Sequence, residues 1–374
     1  MQDMKKRKLC KKIILGMSGG VDSSVCAYLL KKQGYEVIGV FMQNWDSYLN
    51  NDIKGHLKAD TKQCNAQKDF QTAKLVANKL GIKIYRTEFI NKYWNKVFCY
   101  LINEYKGGRT PNPDILCNKY IKFDEFIKHA QEHFQCKNIA MGHYANVLHK
   151  KNHFYLTKAK DKDKDQTYFL CWLTEEQLQH TTFPLGNLLK SKVRAIAKNI
   201  GLENWSKKDS TGICFIGERN FKDFLSNYLS YKRGKIIDVT TKAIIGYHDG
   251  VAFFTYGQNK GMNLSGCAQR YFVCGKDLKK NILYVCTENS KNKYLATTKC
   301  SLTKFNWING IPKSKNVFIR FRHRQKLIKG TFDYFGKDIN LNYPQTLAIT
   351  PGQFAVLYQG KICLGGGIVD KISK

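Results

Sequence analysis

Residues 13–34 constrain this chain more than any other stretch. Ile13, Ile14 and Leu15 form a short apolar run of the kind a buried parallel strand shows, and Val25, Leu29 and Leu30 follow helical spacing up to Gly34. A second apolar run, Val37–Met42, comes next, so the pattern is a β-α-β unit. Its first turn carries the polar letters Ser-Gly-Gly-Val-Asp-Ser, residues 18–23, at the position where an α/β sheet places its ligand.

Gly19 and Gly20 allow close backbone approach, and the N–H groups of a helix start, with the hydroxyls of Ser18, Ser23 and Ser24, suit phosphate oxygens. The loop is neither G-x-x-x-x-G-K-[ST] nor G-x-G-x-x-G, and it contains no lysine. Asp22 stands in it instead. A bare carboxylate repels phosphate unless a divalent cation bridges the two, which points to Mg²⁺ held by Asp22.

The chain of 374 residues is long enough for two or three domains, and a 43% apolar composition supports packed cores rather than disorder. Its N-terminus is basic, but the apolar run that follows is too short for a signal peptide, and no stretch approaches a membrane span, so a cytoplasmic location is expected. The net charge of +33 points to a polyanionic partner, most simply nucleic acid, although Lys-rich composition alone can produce it. The 13 cysteines are odd in number and include no C-x-x-C, which argues against a disulfide framework or a structural zinc site.

Up to about Gly201, apolar runs alternate with helical patterns. Helices are expected over 70–80, 93–105 and 121–133, and extended segments over 82–85 and 139–141, a parallel sheet flanked by helices. After about Phe224, Gly-punctuated runs such as "GKIIDV", "GVAFFTYG", "NILYVC" and "QFAVLYQG" read as strands of antiparallel sheets or a small barrel, and "LGGGI" as a tight turn between strands. The expected division is an α/β domain over 1–205, a β-rich central domain over 206–279 and a C-terminal β-barrel over 280–374.

Two cysteines lie in polar settings. Cys117 follows "GGRTPNPDIL", whose glycines and prolines are expected to force an exposed, rigid loop, and Cys214 follows a Ser-Thr-Gly turn near Lys207, Lys208 and Arg219, where positive charge favours the thiolate. Both are candidate nucleophiles.

The loop at 16–23 resembles the pyrophosphate loop of ATP pyrophosphatases. Together with "GRTPNPDILCNKYIKF", "MGHYANV", "KDQTYFL", "DSTGICFIGERNF" and "TPGQFAVLY" in this order, the chain is identified over about 12–369 as a member of the tRNA-specific 2-thiouridylases. The resemblance implies a Rossmann-like nucleotide domain and ATP-dependent replacement of the C2 oxygen of the wobble uridine, position 34, in tRNAs for Lys, Glu and Gln. It implies ATP bound by Gly16, Met17, Ser18, Gly19, Gly20, Val21, Asp22 and Ser23, with Met42 and Gly142 against the nucleotide. Asn112, Pro113 and Asp114 would hold the target base, Asp114 being a candidate acid or base beside it. Cys214 would carry a persulfide supplied by a cysteine desulfurase or sulfur-relay protein, with Cys117 as its partner thiol. His143, Lys164, Asp165, Gln166, Arg322, His323 and Gln353 would contact tRNA, His323 standing where the family usually has Tyr.

Read from the residues alone, "KAKDKDKDQ" is a solvated charged loop, and two other functions remain open. One is another AMP-forming synthetase in which an amine attacks the adenylated centre. The other is a nucleotide-responsive RNA-binding protein without catalysis.

Overall fold

The computed structural model of the chain describes residues 11–52, 65–209, 220–264, 269–335 and 338–374, and among these no helix is long and apolar enough to cross a membrane. Five parallel strands form the first sheet in the order β3-β2-β1-β4-β7, where β1 is Lys12–Gly16, β2 Glu36–Gln43, β3 Lys83–Glu88, β4 Ile139–Ala140 and β7 Thr181–Thr182. Ile13 and Leu15 pack with Val25 and Ala27 of helix α1 (Val21–Lys32) on one face, while Ile14 packs with Val40 and Met42 on the other. That is why the strand is a continuous apolar run rather than an alternating one. The chain leaves β1 toward β2 on one side and finds β4 on the other, so the loops after β1 and β4 flank the crevice at the reversal of strand order.

The expected helices are present and longer than the patterns indicated. Helix α2 is Asn65–Leu80; a second helical run covers 90–106 with a π-helical segment at Trp94–Phe98, and a third covers 113–134 with one at Cys117–Glu125. The third run overturns the expectation of an exposed loop at Cys117. Pro113 is accommodated in the first turn, where its missing N–H costs no intrahelical bond, so the proline starts the helix instead of preventing it. Ile115, Leu116, Cys117 and Ile121 then go into the core, and Cys117 has no exposed surface.

The central sheet has the order β10-β11-β8-β9, with β8 at Gly234–Asp238, β9 at Ile244–His248, β10 at Tyr271–Asp277 and β11 at Ile282–Thr287. "GVAFFTYG" is not a strand. Gly250 at φ +151° breaks the extended path, Val251–Phe253 forms a short 3₁₀ turn, and Val251 and Phe254 bury together three positions apart, as turns of helix do and strands do not.

Six strands close the barrel: β12 (Ala296–Trp307), β15 (Asp338–Leu347), β14 (Ile328–Phe335), β13 (Asn316–Arg320), β16 (Phe354–Gln359) and β17 (Ile362–Ser373), with β17 returning to β12. "LGGGI" lies within β17 rather than at a turn. A side chain at Gly365, φ +141°, would place its Cβ 1.9 Å from the Asn306 carbonyl, so the missing side chain permits the close approach of β12. The hairpin of β5 (Ala145–Lys150) and β6 (His153–Lys158) leaves the α/β unit and extends the barrel sheet through Thr157 opposite Ile362.

The units are fastened where residues 107–112 meet the barrel. Arg109 pairs with Glu104 and Asp370 at 2.8 Å each and donates to the Val369 carbonyl at 2.9 Å, while Thr110 N–H donates to Pro351 at 3.0 Å. A Cβ on Gly352, φ +92°, would stand 2.8 Å from the Thr110 nitrogen. Gly352→Ala should therefore lower stability by about 2–3 kcal/mol, strain and clash together. Gly360→Ala, at φ +57° in open space, should cost only the left-handed penalty of about 1 kcal/mol. Urea midpoints of the two variants compare them, and equal losses would show that the clamp does not matter.

Candidate active site

The phosphate loop begins where β1 ends. A Cβ on Gly16 would lie 2.6 Å from the Met141 sulfur and 3.2 Å from Met42 Cε, so the glycine lets the residues that border the crevice close over β1. Gly19 has φ +73°, and a Cβ there would meet the Asp69 carbonyl at 2.3 Å, which requires glycine twice over. Gly20 is the N-cap of α1 and has no side chain to satisfy the first-turn N–H groups. Ser23 and Ser24 hydroxyls donate to its carbonyl at 3.1 and 2.9 Å, and Ser18 N–H donates to Ser23 Oγ at 3.2 Å. From the far end of the domain, Asn204 donates to Gly19 O at 3.1 Å and to Ser24 Oγ at 3.0 Å, and Lys207 donates to Gly19 O at 3.3 Å.

The loop has no lysine of its own, but the fold brings one to it. Lys190, the first residue of the helix Lys190–Asn199, places Nζ 2.9 and 2.8 Å from the two oxygens of Asp22 and 2.8 Å from Asp209. Tyr144 Oη donates to Asp22 Oδ1 at 2.9 Å. Asp209 also takes Lys164 at 2.8 Å and Arg194 at 3.0 Å. Partial burial raises the Asp209 carboxyl, but the hydrogen bonds and charges of Lys164 and Lys190 outweigh it and hold the group well below the usual carboxylate range. Sequence reasoning missed Lys190, Asp209, Tyr144 and Asn204. Only the burial of a lysine at 8% exposure marks Lys190, and burial is invisible in the letters.

Asn112 is the N-cap of the helix over 113–134, and Asp114 lies in its first turn, half-buried, where a carboxylate is favoured by the helix dipole. Gln353 donates to the Thr110 and Pro111 carbonyls at 2.8 and 3.2 Å, so it holds the segment that presents Asn112 and Pro113. Cys117 belongs to the same large buried core as Met42 and Met141. Cys214 lies outside the described residues.

Of the remaining residues expected at RNA, Asp165, His323 and Gln353 join the α/β unit to the barrel, Arg322 joins the barrel to the central unit, and His143, Lys164 and Gln166 contact the α/β unit itself. His143 is 9% exposed between Phe123 and Phe183, its Nδ1 has no hydrogen-bond partner among the described residues, and burial first, then Lys122, holds its pKa well below the usual value. It is a neutral imidazole. Gly142, before it, packs against the start of α1, where a Cβ would stand 3.2 Å from Ser23 N. Asp165 is 3% exposed, and its carboxylate is taken by Arg320 at 3.0 Å, Thr167 and the Ala159 N–H. Gln166 Oε1 accepts from Tyr144 N–H at 2.9 Å and so orients the residue that bonds Asp22. Arg322 donates to the Ala348 and Tyr256 carbonyls at 2.7 and 3.1 Å, and the His323 ring lies 3.1 Å from the Asp165 carbonyl and 4.5 Å from the Phe169 ring. In this conformation Asp165, Arg322 and Gln353 bond protein groups, with side chains directed at the seams between units.

Three family models match the chain in succession: the tRNA methyl transferase HUP domain over 11–218, the tRNA methyl transferase PRC-barrel domain over 222–287 and the aminomethyltransferase beta-barrel domain over 297–369. A tRNA-specific 2-thiouridylase MnmA of Malacoplasma penetrans is 52% identical over 369 residues, covering 97% of this chain and 100% of the relative. Proteins of the same name from Ureaplasma parvum serovar 3 and Mycoplasma mycoides subsp. mycoides SC are 50% and 51% identical, each over 97% of this chain and over 95% and 100% of their own lengths.

The ion cluster sets a pH dependence. Because the folded pKa of Asp209 is depressed, its stabilisation is complete above the unfolded value of about 3.9 and is lost as pH falls through the folded value. The difference in urea midpoint between the native protein and Asp209→Asn should stay constant from about pH 7 to 5 and shrink below about pH 4. A difference independent of pH down to about 2 would remove Asp209 from the cluster's energetics.

Proposed function

This chain belongs to the tRNA-specific 2-thiouridylase family, and from that premise we propose that it replaces the C2 oxygen of the wobble uridine of tRNA with sulfur, at the expense of ATP cleaved to AMP and pyrophosphate. The observation that carries this reading is the lysine-free Ser-Gly-Gly-x-Asp-Ser cradle at the strand-order reversal, in a chain about half identical to these relatives along its whole length. In the proposed reaction the uridine O2 attacks the α-phosphorus of ATP and pyrophosphate leaves from the cradle, with the N–H groups of α1 and Lys190 offsetting its charge. Asn112, Pro113 and Asp114 hold the extruded base, since chemistry at C2 needs an unstacked nucleotide.

Sulfur arrives on Cys214 as a persulfide from a donor protein. The Cys117 thiolate attacks the inner sulfur, forming a Cys117–Cys214 disulfide and releasing hydrosulfide, which displaces AMP from C2; a thiol reductant then reopens the disulfide. Asp22 suits Mg²⁺ as a single carboxylate ligand completed by phosphates and water. In this structure both of its oxygens are taken by Lys190 and one also by Tyr144, so the carboxylate is not bare, and a cation entering with the nucleotide would have to take an oxygen from Lys190. Such a cation would supply charge neutralisation to the leaving pyrophosphate.

Asp22→Asn should abolish turnover and lower the unfolding free energy by about 1–3 kcal/mol, since the nearly buried Lys190 loses one of its two carboxylates and keeps Asp209. The native products, separated by chromatography, should be AMP, pyrophosphate and 2-thiouridine. A methyl transfer, the chemistry in the name of the matching HUP-domain family, would form no AMP and would overturn this reading.

The thiols have separate roles to check by mass spectrometry after incubation with a persulfide donor. Cys214→Ser should not load sulfur; Cys117→Ser should load it and fail to complete thiolation. Sulfur on Cys117 alone would reverse the roles, and sulfur on neither would end the mechanism.

A further inference from the structure

Lys276 stands on β10 of the central sheet, but its ammonium leaves that unit and donates to the Gly108 carbonyl at 2.9 Å. Gly108 lies four positions before Asn112, in the segment that presents the candidate base-binding residues. The side chain is half-buried. Burial pushes the ammonium down to about 8, and among the described residues no carboxylate acts to restore it. The adjacent cation, Arg109, is by contrast neutralised by both Glu104 and Asp370. Lys276 is thus a partly desolvated charge whose hydrogen bond among the described residues is to a neutral carbonyl.

This ammonium lines a cleft of about 170 Å³ with Gly107, Arg109, Tyr256, Thr350 and Pro351, so all three units of the chain contribute to its wall. With about 30 Å³ per water, the space holds a phosphate group and its hydration. Keeping an ammonium partly dehydrated is unfavourable unless an anion completes its surroundings. An enzyme that extrudes a base has to grip the backbone beside it, and phosphate contacts set that register.

We propose that this cleft is a phosphate subsite for the RNA substrate, in which Lys276 receives a phosphodiester flanking the nucleotide held by Asn112, Pro113 and Asp114. The assignment rests on the tRNA-modifying reading above. The phosphate chemistry is shared by a free inorganic phosphate or pyrophosphate, and the experiment separates the two sources.

The test is binding of a fluorescent anticodon stem-loop to the full chain from about 50 to about 200 mM salt, for the native protein, Lys276→Met and Lys276→Arg. Lys276→Met should weaken binding roughly tenfold at low salt and reduce the slope of log affinity against log salt by about 0.7–1, while Lys276→Arg retains both. Equal ATP affinity in all three, measured by calorimetry, shows that the variants are folded. An unchanged slope and affinity in Lys276→Met would overturn the subsite. The second arm titrates inorganic phosphate without RNA, with the cradle saturated by ATP: phosphate binding abolished in Lys276→Met, with the RNA slope intact, would assign the cleft to a free anion and overturn the RNA contact. Because the readout is RNA affinity, a failure to form 2-thiouridine would sink the proposed reaction and not this site.

Discussion

The ammonium of Lys190 between Asp22 and Asp209 is the interaction on which the shape of the crevice depends. Two carboxylates face one nearly buried cation at 2.8 Å each, and Tyr144, Lys164 and Arg194 complete their surroundings. Removing the ammonium would leave like charges facing one another on partly dehydrated ground, where each disfavours the other. The cluster therefore joins the start of α1, the loop after β4, the helix Lys190–Asn199 and the chain entering residue 210 into one electrostatic unit. A polyphosphate brought to the loop meets the negative charge of Asp22, and Lys190 is the protein group placed to offset it.

Three arginines fasten the units to one another. Arg109, Arg320 and Arg322 each bridge segments far apart in the sequence, through Asp370 and Val369, Asp165, and Tyr256 and Ala348. A planar fork loses little freedom per bond formed and holds two acceptors at once, which suits a seam between units. Gln353 touches the carbonyls of Thr110 and Pro111 and so fixes the loop that leads into Asn112. Tyr168 shows the same economy in the core, its hydroxyl donating to the Phe321 and Phe354 carbonyls of the barrel at 3.1 and 3.2 Å.

What the sequence by itself determined was local. The apolar runs of β1 and β2, the spacing of α1 and the turn between them express side-chain periodicity and the conformational freedom of Gly19, properties of near neighbours along the chain. The same local reading misplaced Cys117, because a proline that ends one helix can begin another, and only the packing of Ile115, Leu116 and Ile121 decides between the two. It missed the short turn at Val251–Phe253 for a related reason, since a brief apolar run does not reveal whether it buries on a pleat or on a turn. Tertiary structure alone decided that Lys190 would reach Asp22 across 168 positions, that β5 and β6 would join the barrel and that Lys276 would line a cleft beside Gly108. Those pairings are set by which surfaces the packed core brings together, and charge or size at one position carries no record of a partner so far along the chain.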